Sequence, residues 1–274
     1  MKIVTRFILT IIFIPVFLIF LFSINLRFQF LVSSFWQKNF ESHDTYSKLA
    51  SSISKSLESQ TIAEGGRASD VKILTDIASS ENLRDLIEKN IDMILQYANG
   101  KAKEFTVYIP VSKIPKALLS KNFKGVTEYM SASELIKEFN ISVISPRELQ
   151  MISQVGKAVW ALFIVAFLLS MLLVYLLYLL VDSGKRLIAL GLPIFLTGLI
   201  VFILSASGTI IRINLEKDLM RSTNLGDLLI GIVAPPIIQG IISAWSIFAV
   251  VTIIIGSVLF FVKKPVSIEF KKKK

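Results

Sequence analysis

The stretch AVWALFIVAFLLSMLLVYLLYLLV, residues 158–181, runs for 24 residues without a charge. An α-helix rises ~1.5 Å per residue, so ~20 apolar residues cover the ~30 Å hydrocarbon core of a bilayer. Three further uncharged runs share its character: 7–26 with 20 residues, 187–211 with 25 and 228–262 with 35. The first three predict one transmembrane helix each. The fourth is longer than one span needs and short for two, and Pro235-Pro236 and Gly240 interrupt it. A proline pair removes two backbone donors and crowds the preceding turn. The pattern therefore predicts a span over 241–262, led by an interfacial or re-entrant piece over 228–239. The fold class that follows is an all-α membrane protein with four transmembrane helices.

Composition agrees. The 274 residues are 53% hydrophobic and 18% charged, with no cysteine, which excludes a disordered chain, a disulfide scaffold and a Cys-based metal site. The first run follows Lys2 and Arg6 like a signal peptide. Its apolar part exceeds the usual ~7–15 residues and no A-x-A-like site follows, so an uncleaved signal-anchor is expected.

A net charge of +10 invites a nucleic-acid partner until it is divided among the spans. One side collects +2 from Lys2 and Arg6, +1 from 182–186 and +5 from the Lys-rich tail 263–274. The other holds 27–156, with 16 basic and 15 acidic residues, and 212–227, with three of each; Lys157 sits at a boundary. Basic residues mark the cytoplasmic side. The prediction is a multi-pass cell-membrane protein with both termini cytoplasmic and no nucleic-acid partner. Its partners are the lipid bilayer, including anionic headgroups for the tail, and a protein at the outer segment.

That outer segment, 27–156, is long enough for a small extracytoplasmic domain. Tyr46, Leu49, Ile53 and Leu57 recur at helical spacing. After Gly65-Gly66, the apolar set from Leu74 to Ala98 fits one helix or two, with Ser79 or Ser80 as an internal N-cap and Asn99-Gly100 as a stop. Phe105, Val107 and Ile109 alternate before Pro110, a short extended stretch at a sheet edge. Ser131-x-x-Glu134 reads as a capping box for a helix carrying Leu135, Ile136 and Phe139. Ser145-Pro146-Arg147-Glu148 is a strong helix start, and Gly156 is the one breaker before the membrane. The second span is thus expected to begin outside the bilayer, as one helix over 146–181. The domain is mainly helical with at most one short extended segment, and an aromatic belt of Phe28, Phe30, Phe35 and Trp36 beside Arg27 marks the exit from the first span.

No catalytic, cofactor-binding or metal-binding residue is assigned. The runs carry no ionisable group, which argues against a proton relay or an aspartyl intramembrane protease. Their polar members, such as Ser170, Tyr175, Tyr178, Thr197, Ser205 and Ser243, are expected to bond to backbone or between helices. His43 beside Asp44 is read as a solvated residue before a helix start, with Asp44 as the cap. Glu81, Asp85, Glu88 and Asp92 share a helix face, interleaved with Arg84 and Lys89, and read as a solvated face rather than a cation site. Gly65-Gly66 lacks the following Lys-Ser/Thr of a phosphate loop, and Asn140-Ile141-Ser142 is a chance glycosylation triplet. Gly240-x-x-x-Ala244 lets another helix approach closely. Ile213, Leu215, Leu219 and Met220 suggest a short surface helix beside the membrane that serves as a lid or support for the first outer domain.

Tyr46-x-x-Leu49, Ile87-x-x-x-Ile91-Asp92, Tyr97-x-x-Gly100 and Phe105-x-Val107-x-Ile109-Pro110 together resemble uncharacterised bacterial four-span membrane proteins. In these a helical extracytoplasmic domain separates the first span from three clustered ones, and the likeness brings no activity with it. The same order of spans resembles permease subunits of the macrolide-exporter and cell-division type of ABC transporter. Those have a longer cytoplasmic N-terminal segment to engage the ATPase, where this chain has only residues 1–6 and the tight turn 182–186. The expectation is a non-enzymatic envelope protein whose outer domain binds a partner or ligand, with a permease subunit as the alternative.

Overall fold

The computed structural model describes residues 2–63, 68–113, 127–131, 134, 146–181, 185–221 and 224–261. In chain order its helices are α1 (Lys2–Asn25), α2 (Ser33–Ser42), α3 (Thr45–Ala63), α4 (Ala68–Ile77), α5 (Ser80–Ala98), α6 (Pro146–Leu179), α7 (Arg186–Leu219) and α8 (Leu225–Phe261). A π-helical turn, Leu26–Phe30, links α1 to α2, and two short strands, β1 (Thr106–Tyr108) and β2 (Tyr129–Ser131), follow α5. Among the described residues four helices are long and apolar enough to cross a membrane: Val4–Phe30, which takes in most of α1 and the π-helical turn, and those of α6, α7 and α8. The chain is a membrane-embedded, multi-pass protein.

Two of the predicted breaks are absent. Helix α8 runs unbroken through Pro235, Pro236 and Gly240. Both prolines are buried, as are Gly231 and Ile232, whose carbonyls lose their usual donors. Interrupting the helix in apolar surroundings would strand more backbone groups than the two the prolines cost. The start of α8 is set by Asn224, whose Oδ1 accepts from the Gly226 amide (2.8 Å) and whose carbonyl accepts from Leu228 (3.0 Å). Likewise Ile213, Leu215 and Leu219 are the last turns of α7, not a separate surface helix. An Arg212–Glu216 pair one turn apart (3.3 Å) carries the helix through the charged residues that follow its uncharged run.

Within α6, continuous from Pro146 as expected, exposed Val165, Leu168, Met171, Leu172 and Tyr175 form a stripe at helical spacing. The chain forms two compact units. One holds, among the described residues, 2–23, 163–206 and 244–261. Its α1–α6 contact is a ladder of phenylalanines, Phe13–Phe17–Phe20 on α1 meeting Phe163 and Phe167 on α6, with centroids 5.2–6.3 Å apart. Phe13, Leu173 and Leu177 close it. The α7–α8 contact is made by small residues seven apart: Gly191, Gly198 and Ser205 against Ala249 and Gly256. A Cβ added at Gly256 would lie 2.5 Å from the Phe195 nitrogen, and one at Gly198 2.8 Å from that of Ile253. Ser205 and Ser246 share a hydrogen bond of 2.6 Å at the end of this seam. Lipid chains are as apolar as leucine, so helices associate there by fit and by such bonds rather than by escape from water. Thr197 donates to the Pro193 carbonyl (2.8 Å), as hydroxyls inside such helices commonly do.

The second unit comprises Ile24–Leu162 and Ser207–Ser243. Phe40, Tyr46, Leu49, Phe105, Tyr108 and Met130 are buried in it. The internal break falls where it is expected: Ser79 caps α5 by accepting from the Asn82 amide (3.4 Å). Strand β1 pairs antiparallel with β2, Val107 opposite Met130. Its inward residue is Tyr108 rather than Val107, because the Tyr108 hydroxyl finds Asp85 (2.9 Å) and the ring is then free to be buried. The capping box at Ser131 and Glu134 closes reciprocally, at 2.8 and 3.2 Å. The helix it was expected to open, Gly65-Gly66, Asn140 and the Lys-rich tail all lie outside the described residues.

The seam makes a measurable claim. Gly256→Leu drives a side chain into the α7 backbone, costs the ~1–3 kcal/mol of an overpacked contact or more, and so lowers the thermal midpoint in detergent. Gly208→Ala, whose Cβ meets only the movable Ile242 side chain at 3.1 Å, has a much smaller effect. Equal effects from the two would contradict the seam.

Candidate functional site

Helix α5 carries the densest set of polar contacts in the described structure, and all of them lie within the second unit. Along its length Asp85 accepts from Tyr108 (2.9 Å) and pairs with Lys89 (3.0 Å) and Lys113 (3.4 Å). Glu88 accepts from Tyr46 (3.0 Å) and from Arg84 (2.9 Å), which also pairs with Glu41. Asp92 accepts from Ser33 (2.7 Å) and Gln96 (2.6 Å). The acidic face is therefore divided among separate partners on α2, α3 and β1, and it works as the glue of the domain. Among the described residues no group of His, Asp and Glu side chains is placed to hold a metal ion.

Asn90 on the same helix plays the part of a strand. Its amide donates to the Tyr108 carbonyl and accepts from the Tyr108 amide, both at 2.9 Å, so the edge of β1 facing α5 is paired. Electrostatics follow this geometry. Desolvation works against the charged form of Asp85, but hydrogen bonds from Lys89, Tyr108 and Lys113 outweigh it and hold the carboxyl below its ordinary range. Desolvation, with help from Glu88, pushes the Tyr46 hydroxyl well above its ordinary value. Lys89 is raised by its bonds to Asp85 and Tyr108, and its ammonium also sits over the Tyr108 ring, 4.0 Å from the centroid.

The foot of α5 is the most constrained place. The helix ends in a paired-bond motif: Lys101 N–H donates to Gln96 (2.9 Å) and Gly100 N–H to Tyr97 (3.0 Å). Gly100 takes the left-handed φ of +70° that this motif requires. The Asn99 side chain then gathers three elements. Its Nδ2 donates to the Leu31 carbonyl (3.1 Å) and to Leu95 (2.8 Å), and its Oδ1 accepts from Arg27 Nη1 (2.7 Å). Helix α6 arrives at this point through Gly156, where a Cβ would collide with the Ala98 carbonyl and lie 2.8 Å from the Asn99 Cα. Leu31, Leu95 and Val159 form the apolar layer beneath. The Arg27 guanidinium stacks over Trp160, 5.4 Å from the ring centroid.

The other residues singled out by sequence are dispersed. His43 caps the end of α2, its Nδ1 2.9 Å from the Asn39 carbonyl, and Asp44 turns the chain with a φ of 52° before α3. Gly240 receives the Asn39 side chain, which leaves no room for a Cβ, so its smallness serves contact within the chain. Asn99, Asn90 and Gly156 were not foreseen as contact makers. For Gly156 the available signal was its retention inside a helix that otherwise lacks a breaker. No family model, curated protein or solved structure matches this chain.

Asp85→Asn provides a pH test with a definite sign. The native carboxyl titrates below its unfolded value, so its contribution is present above about pH 4 and is lost as pH falls through the native value. The variant unfolds at lower temperature than wild type at pH 7, and the gap narrows steadily below pH 4. A gap that stays constant down to pH 2.5 would contradict the assignment.

Proposed function

We propose that the chain is a non-enzymatic, multi-pass protein of the bacterial cell membrane with both termini in the cytoplasm. Its extracytoplasmic helical domain binds a protein partner. The observation that supports this reading is the separately cored domain between α1 and α6, built on Phe40, Tyr46, Leu49, Tyr108 and Met130. A tethered domain whose acidic side chains are engaged in its own packing presents a surface rather than a reaction centre. Exposed apolar side chains on it, Ile62 (65% exposed) and Tyr129 (50%), are suited to contact. The charge division, +8 on the side of the termini, supports the orientation.

The absence of cysteine makes any introduced cysteine a unique reporter. In intact cells, Ile62→Cys reacts with a membrane-impermeant maleimide and a cysteine appended after Lys274 does not; the reverse labelling overturns the orientation. A photoreactive residue at Ile62 or Tyr129 gives a discrete protein adduct, while one at lipid-facing Leu168 gives none. Adducts only with an ATPase that copurifies in stoichiometric amount support the permease reading instead, which rests on the order of one span, a domain and three spans.

A further inference from the structure

We infer that Arg27, Lys157 and Trp160 form a binding site for the phosphate of an anionic phospholipid, at the end of the first two membrane-crossing helices nearest α5. The inference is independent of the partner-binding reading and needs only that these helices cross a bilayer.

Sequence and structure converge on it. Arg27 is the first charged residue after the uncharged run 7–26, and Lys157 immediately precedes the run 158–181. Each therefore marks the level at which its helix leaves the hydrocarbon, the depth of lipid phosphates. The two are 130 positions apart in the chain, yet both reach the foot of α5. Arg27 holds the Asn99 side chain at 2.7 Å, and the Lys157 Cε lies 4.0 Å from where a Cβ on Gly100 would stand. No carboxylate pairs with either cation among the described residues, although Lys89, Lys113, Arg84 and Arg212 all have one. Among the described residues Arg27 is committed only to a neutral amide and to an aromatic face, and its Nε is buried without an acceptor.

Two cations at the foot of one helix, with no carboxylate partner among the described residues, are costly at that depth unless an anion meets them, and the membrane supplies one. Trp160 completes the arrangement. It stands one turn from Lys157 on α6, is 45% exposed, and underlies the guanidinium, as interfacial tryptophans do. Asn99 acts as a positioning residue: it fixes the arginine so that a phosphate bridging Arg27 and Lys157 meets a preformed fork rather than two mobile side chains.

The test uses the full chain with Lys263, Lys264 and Lys271 to Lys274 changed to Gln, which removes the tail as a second lipid-binding element. Native mass spectrometry in detergent measures the affinity for phosphatidylglycerol, with phosphatidylcholine as the zwitterionic control. Each basic residue near a membrane surface contributes about five-fold to anionic lipid binding. Arg27→Gln and Lys157→Gln should each weaken phosphatidylglycerol by about that factor and the double variant by about twenty-five-fold, with phosphatidylcholine little changed. Lys157 is exposed and holds no partner among the described residues, so its substitution leaves the fold intact and reads binding alone. Unchanged phosphatidylglycerol affinity in Lys157→Gln overturns the site. Displacement of the lipid by millimolar inorganic phosphate overturns the lipid as its ligand and makes it a free-anion site.

Discussion

The close approach of α6 to the end of α5 is the contact on which the rest depends. At Gly156 the backbone of one helix rests against Ala98 and Asn99 of the other with no room for even a methyl group. Beside that contact one side chain, Asn99, bonds at once to α5, to the backbone beyond the π-helical turn and to Arg27. Asn99 is half-buried, and each of these bonds contributes about 0.5–1.5 kcal/mol. Everything above this foot on α5, from Asp92 through Glu88 to Asp85, repeats the theme with partners drawn from α2, α3 and β1.

The two units are held by different physics, and their residues show it. In the unit containing the central parts of α6, α7 and α8, contact is made by phenylalanine ladders and by glycine-lined seams, because apolar surface gains nothing from leaving a lipid for a neighbour. In the unit containing α2 to α5, burial of Phe40, Tyr46 and Leu49 supplies the drive and the ion pairs fix the register. Several of those pairs are half exposed, so individually each contributes little. Their value is in selecting one arrangement of α5 against its neighbours.

How much of this was legible in the sequence depended on whether the deciding physics was local. A run of 24 uncharged residues has one reading whatever surrounds it, and Ser79 or Ser80 ahead of an amphipathic segment marks a helix start, with Ser79 the residue that caps it. The Schellman-type stop at Asn99-Gly100 was legible for the same reason. Pro235-Pro236 reads as a break only locally; the larger penalty for breaking a helix in apolar surroundings keeps α8 continuous. The alternation of Phe105, Val107 and Ile109 shows an extended stretch but not that Tyr108 is its buried residue, since the hydroxyl partner that allows this lies 23 residues away on α5. The seven-residue spacing of Gly191, Gly198 and Ser205 was visible, but its meaning required knowing that Ala249 and Gly256 lie opposite. The grouping of 207–243 with 24–162 is of the same kind: Gly240 meets Asn39 across two hundred residues of chain.

Amide hydrogen exchange on the full chain in detergent, comparing wild type with Asn99→Ala, tests the central role of this foot most directly. The account predicts that exchange of α5 and of the first turns of α2 accelerates about ten-fold or more, the equivalent of ~1.4 kcal/mol. Amides along the α7–α8 seam keep their wild-type rates. Unchanged exchange in α5, or acceleration spread evenly over every helix, would contradict it.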